Sequence, residues 1–167
     1  MATSAEWVKE FARQADADFW AYEALRGISA VAECHRLLFL QMACEKLCKA
    51  HLIGAGAPPA AVQSSHGFVA RPLPPLIRQQ LILMGGNPRR TTGLMRFTKR
   101  LAGEIEVLNP AVDRNAQRPD NCEYPWENGN GDLHSPLDWK FAPSRLLTQR
   151  HGATFLKLVR AAIDRLL

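Results

Sequence analysis

One run of residues constrains the fold of this chain more than any other: Leu37-Leu-Phe-Leu-Gln-Met-Ala-Cys-Glu-Lys-Leu-Cys-Lys-Ala-His-Leu52. Its spacing of Leu, Met, Ala and Cys predicts a helix, which Gln41, Glu45, Lys46 and Lys49 interrupt with polar groups. Because Gln41, Glu45 and Lys49 follow one another at four-residue intervals, they share one face of that helix. A polar row beside an apolar seam favours a helix–helix or dimer interface, and the alternative is a face that contacts solvent.

Length and composition predict a single globular domain over residues 1–167. Hydrophobic residues make up 47% and charged residues 22% of the 167, as in ordinary globular proteins. No apolar run approaches the ~20 residues that span a bilayer. The N-terminus has no basic segment followed by an apolar one, which predicts a cytoplasmic protein whose four cysteines are reduced thiols.

A metal site is considered at Cys44, Cys48 and His51, which share neighbouring parts of one helix face. The sequence offers no second pair of ligands, and apolar residues surround all three. Buried free thiols are therefore the favoured interpretation. We expect no metal and no cofactor.

Apolar periodicity predicts an all-α fold, an up-and-down four-helix bundle, and no strand. Apolar residues at three- to four-residue intervals form the predicted helix stripes, which are Trp7, Phe11, Ala15, Phe19 and Tyr22 in the first helix, Leu94, Phe97, Leu101 and Ile105 in the third, and Phe155, Leu158, Val159, Ala162, Ile163 and Leu166 in the last. The alternative is an irregular all-α fold. Residues 54–75 are rich in turns, and an extra short helix is expected after them, at about residues 76–83. Residues 109–138 form a long loop before the last helix. Four main helices are predicted. The first begins at a Thr3–Glu6 capping box and ends at about Arg26, and the second runs from about Ser29 to Ile53. The third runs from Thr91 or Thr92 to about Leu108, and the last runs from Leu137 or Asp138 to Leu167 with a break near His151-Gly152.

Charge is unevenly distributed along the chain. Residues 71–103 carry seven basic and no acidic side chains, whereas residues 104–138 carry two basic and eight acidic ones. Two interpretations are open. The acidic loop neutralises basic helices within the molecule, or the basic segments form a cationic face for phosphate or RNA.

The 109–138 loop is the predicted ligand site, because loops of this length are usually functional or disordered. Aromatic rings in it could stack on a base. We expect Tyr124, more than Trp126, to hold the loop against the helices. The candidate ligand-binding residues are Arg118, Asn121, Tyr124, Trp126 and His134.

Several of these segments resemble the HEPN domain family. The first helix resembles the family's opening helix, the second carries the family's spacing of polar residues, and a histidine follows a Gly/Pro turn as in the family. Residues 121–126 resemble its Ala-Arg-Tyr-Pro stretch, with Glu123 in place of the arginine. The matching positions are Ala15, Asp16, Phe19 and Leu25, then Gln41, Glu45, Lys46, Lys49 and Ala50, then His66, and finally Tyr124 and Pro125.

The resemblance implies a helical bundle that forms a homodimer, with Gln41, Glu45 and Lys49 at an interface. It also implies a prokaryotic toxin–antitoxin, defence or RNA-processing setting. The partners it implies are RNA or a nucleotide and a nucleotidyltransferase-type protein, without a membrane.

HEPN ribonucleases use an arginine followed, after four to six residues, by a histidine, and need no metal. Arg145 and His151 have this spacing and are the candidate catalytic residues. Active members usually carry a polar residue directly after the arginine, where this chain has Leu146. Catalysis is therefore the alternative, and a non-catalytic module is favoured.

Three functions follow from the sequence. The first is a non-catalytic HEPN-like module that binds nucleotide, RNA or a protein partner. The second is a metal-independent ribonuclease toxin that uses Arg145 and His151. The third is a structural or oligomerisation subunit.

Overall fold

The computed structural model describes residues 2–87, 91–112 and 118–167 of the 167-residue chain. Two strands of two residues each, β1 (Trp126–Glu127) and β2 (Leu133–His134), pair in antiparallel fashion. The prediction of a mostly helical chain is confirmed. The helices are α1 (Ser4–Arg26), α2 (Glu33–Gly54), α3 (Pro59–Gln63), α4 (Leu73–Leu83), α5 (Thr92–Glu106), α6 (Ala142–Leu147) and α7 (Gly152–Asp164).

Helix α1 begins with the predicted capping box. The backbone N–H of Glu6 donates to Oγ1 of Thr3 over 3.3 Å, and the backbone N–H of Thr3 donates to Oε2 of Glu6 over 2.6 Å. Two amides that the first turn leaves without helical partners are thereby satisfied. Ala15, Phe19 and Tyr22 are buried, so the predicted apolar stripe faces the core.

Helix α2 begins at Glu33, four residues later than predicted from Ser29. Residues 27–32 reverse the chain instead, with the Val31 N–H donating to the Ile28 carbonyl over 3.1 Å. This turn brings α2 back along α1, and these two helices share the most extensive contact in the described chain. At its other end α2 stops before Gly56, whose φ of 99° is readily adopted only by glycine.

Two short helices occupy the segment predicted to be rich in turns, and both begin with proline in the first turn. Helix α3 starts at Pro59, and α4 starts at Leu73 with Pro74 and Pro75 following. Proline stops a helix in its interior but is accepted in the first turn, where its missing N–H has no helical acceptor. The predicted start of α4 near Leu76 was therefore too late by about one turn.

The last predicted helix is two helices, α6 and α7, separated near His151 as expected. Residues 137–141 are not helical, so the predicted start of the last helix at Leu137 or Asp138 was too early. The prediction of no strand was also wrong, because β1 and β2 form a hairpin within the long loop. Part of that loop, residues 113–117, lies outside the described residues.

One cluster of buried hydrophobic side chains joins the long helices to the loop. It includes the predicted stripes of α5 and α7 and also Cys122, Trp126 and Phe141 from the loop and its exit. Helix α4 packs against both α5 and α7, while α1 contacts α7 and α2 contacts α5. None of the helices in the described part of the chain combines the length and the apolar character that a membrane crossing requires.

Candidate functional site

The carboxylate of Glu45 lies at the centre of a polar cluster on the inner side of α2. Its Oε1 is 2.8 Å from Nζ of Lys49 and 3.1 Å from Nδ1 of His66. Its Oε2 accepts hydrogen bonds from Nε2 of Gln41 at 2.7 Å and from Nδ2 of Asn109 at 3.4 Å. We call these five residues the Glu45 cluster.

The residues predicted to form an interface are buried within the monomer. Gln41, Glu45 and Lys49 are 1%, 6% and 5% exposed, so a face in contact with solvent is wrong for them. The burial is tolerable because the buried ammonium and carboxylate neutralise each other and share further polar neighbours. A role for these residues in self-association stays a prediction, and His66, whose side chain is 46% exposed, is the member most open to solvent.

The Glu45 cluster joins three segments that are distant in sequence. Lys49 also donates to the carbonyl of Gln63 over 3.4 Å, and Asn109 follows the end of α5. Nearby along α5, the Glu106 carboxylate accepts the backbone N–H groups of Val69 and Ala70, both at 2.8 Å. Residues 63–70 are thus held between α2 and α5, and the geometry of the cluster indicates a structural role.

A second polar site lies at the long loop. Residues from 118–120, the β1–β2 hairpin and the entry to α6 enclose an open pocket of about 430 Å³, which we call the loop pocket. It brings together three of the five predicted ligand residues and adds others that the sequence had not suggested. Its lining includes Arg118, Asp120, Trp126, His134, Trp139 and Lys140.

Three rings meet in the loop pocket. Trp126 and Trp139 pack edge to face, with centroids 5.4 Å apart, and His134 lies 6.0 Å from Trp126 and 5.1 Å from Trp139. Trp126 is 8% exposed and belongs to the core, whereas Trp139 is 37% exposed. Trp139 therefore offers the ring surface that a ligand could cover.

The predicted contrast between Tyr124 and Trp126 was wrong. Tyr124 is 59% exposed, and buried Trp126 holds the loop against the helices. Asn121 is buried as well, where its Oδ1 accepts the backbone N–H groups of Glu123 and Tyr124 at 2.9 and 2.8 Å. Asn121 thus shapes the turn before Trp126, and neither it nor Tyr124 lines the loop pocket.

Arg118 lies at the edge of the loop pocket, but its charge is already paired. Its guanidinium makes two 3.0 Å hydrogen bonds to Asp120 and a third, also 3.0 Å, to Glu104 on α5. These hydrogen bonds raise the pKa of Arg118 above its ordinary value. The remaining cation of the pocket is Lys140, which is exposed and makes none of the ion pairs found among the described residues.

Helix α5 carries an exposed cationic face that ends near this pocket. Arg96, Lys99 and Arg100 are exposed, and Arg96, Arg100 and Glu104 succeed one another at four-residue intervals along one side. Among the described residues, no acidic side chain of 118–138 forms an ion pair with a base of 71–103. Direct neutralisation of these helices by the acidic loop is therefore absent from the described residues.

The two candidate catalytic residues lie on different helices. Arg145 is exposed on α6, whereas His151 stands half-buried at the start of α7. The imidazole of His151 packs on Phe97, with ring centroids 5.8 Å apart. The sequence spacing of the pair is thus interrupted by the corner between α6 and α7.

The cysteines of the chain are buried free thiols. Burial raises the pKa of Cys44 to about 12 and that of Cys48 well above its usual value. Burial, together with Arg165, lowers the pKa of His51. Across residues 2–87, 91–112 and 118–167, no group of three or more His, Cys, Asp or Glu side chains is arranged to hold a metal ion.

Three of the residues in these sites had only weak signals in the sequence. Asn109 appeared only as the end of a helix, since nothing along the chain links it to Glu45, 64 residues away. Trp139 and Lys140 were assigned to the last helix, which in fact begins after them.

No family model, curated protein or solved structure matches this chain.

Proposed function

We propose that this chain is a non-catalytic RNA-binding module that holds an unpaired base in the loop pocket. The observation that carries the proposal is the meeting of Trp126, His134 and Trp139 beside the unpaired cation of Lys140. Aromatic rings next to a cation suit a nucleotide, because the ring stacks on the base while the ammonium attracts the phosphate.

The dimensions of the loop pocket support a base-sized ligand. Its volume of about 430 Å³ lies within the ~300–1,000 Å³ that small-molecule sites usually occupy. Stacking of one base on an aromatic side chain contributes about 1–3 kcal/mol. Trp139 is the ring that would provide most of this stacking, because it is the most exposed of the three.

The cationic face of α5 favours RNA over a free nucleotide as the ligand. Arg96 and Arg100 lie in one row with Glu104, and Glu104 is bound to Arg118 at the edge of the loop pocket. A strand whose base enters the pocket would run its phosphates along this row. Each phosphate neutralised by an arginine or lysine releases counterions, which strengthens binding at low salt.

The same proposal includes the HEPN-like assembly that the sequence resemblance implies. Helices α1, α2, α5 and α7 would be the four members of the bundle, with α4 as the extra short helix. A homodimer in a prokaryotic toxin–antitoxin or defence setting, cytoplasmic and with a nucleotidyltransferase-type partner, is the context in which such a module would act. The Gln41, Glu45 and Lys49 spacing supports this assignment.

Fluorescence anisotropy of a labelled single-stranded oligoribonucleotide tests the proposal. We expect Trp139→Ala and Lys140→Ala each to weaken binding about tenfold. Arg100→Gln should weaken binding less and reduce the slope of log K against log salt by about 0.7.

Matched control variants separate this site from general effects of charge and aromatic content. Trp20→Ala removes an exposed tryptophan from α1, and Lys157→Ala removes an exposed lysine from α7. Both should bind RNA as the unaltered protein does. Equal affinities for Trp139→Ala and Trp20→Ala would contradict the proposal.

A further inference from the structure

A second pocket, of about 210 Å³, contains two arginines from different helices. It lies where the end of α1 and the start of α2 meet α6, and we call it the arginine pocket. Arg26 comes from the last turn of α1, and Arg36 comes from the first turns of α2. The polar residues that line it are Tyr22, Arg26, Glu33, Arg36, Ser144 and Thr148.

Arg36 has a donor that the protein leaves unsatisfied. Its Nε is buried and has no hydrogen-bond partner among the described residues. A buried N–H without an acceptor destabilises the folded protein, and more so when the group is charged. Arg36 also forms no ion pair among the described residues, although Glu33 lies one turn away on α2. The guanidinium of Arg36 is therefore without an anionic partner in the described part of the protein.

The other groups of the arginine pocket are suited to an anion. Arg26 is held with its guanidinium carbon 5.6 Å from the centroid of the Tyr22 ring. The hydroxyl of Tyr22 is protonated at neutral pH, and burial raises its pKa further, to about 12. Among the described residues, Glu33 is the only acidic side chain in the lining, and its Oε1 accepts a hydrogen bond from the backbone N–H of Phe141 over 3.2 Å. Two cations thus face one carboxylate that is already engaged.

Hydroxyl groups complete the lining on the side of α6. Ser144 lies on α6, and Thr148 follows its last residue. Thr148 donates its hydroxyl hydrogen to the carbonyl of Arg145 over 2.9 Å, so the hydroxyl hydrogen that an anion can accept is that of Ser144. Guanidinium groups with neighbouring hydroxyls are a common way of binding phosphate oxygens, because arginine donates two parallel hydrogen bonds.

We infer that the arginine pocket binds a phosphate group through Arg26 and Arg36. Its volume of about 210 Å³ is below the ~300–1,000 Å³ of pockets that enclose whole small molecules. The pocket therefore takes a phosphate dianion, free or at the end of a larger molecule that extends into solvent. The guanidinium groups of Arg26 and Arg36, which form no ion pair among the described residues, donate to that anion.

Isothermal titration calorimetry with inorganic phosphate, at an ionic strength held constant with NaCl, tests the inference. We expect saturable binding of one phosphate per chain. Arg36→Gln and Arg26→Gln should each weaken it about tenfold or more, because each removes a charge-assisted hydrogen bond. Arg78→Gln, which removes an exposed arginine from α4, should leave it unchanged.

Further arms of the experiment identify the source of the phosphate. An oligoribonucleotide with a 5′-phosphate is compared with the same oligoribonucleotide bearing a 5′-hydroxyl. A preference for the phosphorylated end that disappears in Arg26→Gln assigns the site to an RNA terminus. Equal affinity of both oligonucleotides, with retained binding of inorganic phosphate, assigns it to free phosphate.

The arginine pocket and the loop pocket share no lining residue, and the variants distinguish them. Trp139→Ala should retain phosphate binding even where it loses affinity for an unphosphorylated oligoribonucleotide. Arg36 is partly buried, so circular dichroism must show that Arg36→Gln is folded, while exposed Arg26 provides an independent test. Absence of binding beyond that of NaCl, or affinity in Arg26→Gln equal to that in Arg78→Gln, overturns the inference.

Discussion

His66 Nδ1 lies 3.1 Å from Oε1 of Glu45, which places a partly exposed imidazole on a carboxylate that is otherwise inside the protein. The same oxygen is 2.8 Å from Nζ of Lys49. One carboxylate oxygen therefore serves two donors, one from its own helix and one from the segment that follows α3. Stability should depend on this carboxylate more than on any surface ion pair.

Replacing Glu45 with Gln should strongly destabilise the protein. The ammonium of Lys49 would remain buried without an anion, and breaking a buried pair in this way typically costs about 3–5 kcal/mol. Urea unfolding followed by circular dichroism measures the change. Glu10→Gln is the matched control, because Glu10 pairs with Arg13 on the exposed side of α1 and should contribute less than about 1 kcal/mol.

The double variant Glu45→Gln/Lys49→Met should recover part of the lost stability, since it removes the unpaired charge as well. Recovery of about 1 kcal/mol or more relative to Glu45→Gln alone would identify the buried ammonium as the cause. Identical unfolding midpoints for the two variants would show that the loss comes from packing instead.

Gly152→Ala should be disruptive at the corner between α6 and α7. A Cβ at this position would lie 2.6 Å from the carbonyl carbon of Leu147, and backbone cannot give way as a flexible side chain can. Gly103→Ala is the control, since nothing lies within 4 Å of a Cβ there and Gly103 is inside α5. Thermal unfolding should show a lower Tm for Gly152→Ala and a gain of about 0.5–1 kcal/mol for Gly103→Ala.

The thiols should be unreactive while the protein is folded. Burial raises the pKa of Cys44 to about 12, and the thiolate is the form that attacks disulfide reagents. With Ellman's reagent at pH 8, we expect the cysteines to react, and the coloured thiolate of the reagent to be released, only after unfolding in concentrated guanidinium chloride. Fast release from the folded protein would contradict the burial of these side chains.

The same pKa shift sets a direction for stability against pH. The unfolded thiol loses its proton near its ordinary pKa of ~8.5, whereas folded Cys44 keeps its proton to about pH 12. The unfolded chain therefore binds fewer protons over this interval, and the free energy of unfolding should fall as pH rises through it. Replacing Cys44 with Ala should flatten this decline.

We expect no ribonuclease activity that depends on Arg145 and His151. Their helices are separated by a corner, and the imidazole of His151 packs on Phe97. Cleavage of a fluorogenic RNA without metal should be equal for the unaltered protein, Arg145→Ala and His151→Ala, at the level of buffer alone. Cleavage that both substitutions abolish would support the ribonuclease alternative instead.

The sequence predicted what local pattern controls. The Thr3–Glu6 capping box and the stripe through Phe19 and Tyr22 follow from interactions within a few residues, and both are confirmed. The break near His151 also carried a local signal in its glycine. Predictions of where helices begin beside proline were less accurate. Proline is typical both of turns and of the first turn of a helix, so the sequence alone does not distinguish the two.

Contacts between segments that are distant in the sequence could not be predicted from local sequence patterns. Glu45 and Lys49 have the spacing of an ordinary exposed pair, and only folding places His66 and Asn109 beside them. Likewise the burial of Trp126 depends on which side of the two-residue strand β1 faces the core. The arginine pocket is formed by α1, α2 and α6 together, and the sequence of no single segment predicts it.

The Glu45 cluster also determines the rotational setting of α2. Buried residues lie on most sides of this helix, so apolar packing alone distinguishes poorly between neighbouring rotations about its axis. A shift by one residue turns the helix by ~100° and would take Glu45 away from both His66 and Asn109. The carboxylate would then be desolvated against hydrocarbon, at a cost of several kcal/mol. A single polar group thus selects one orientation for the described helix that has the most buried side chains.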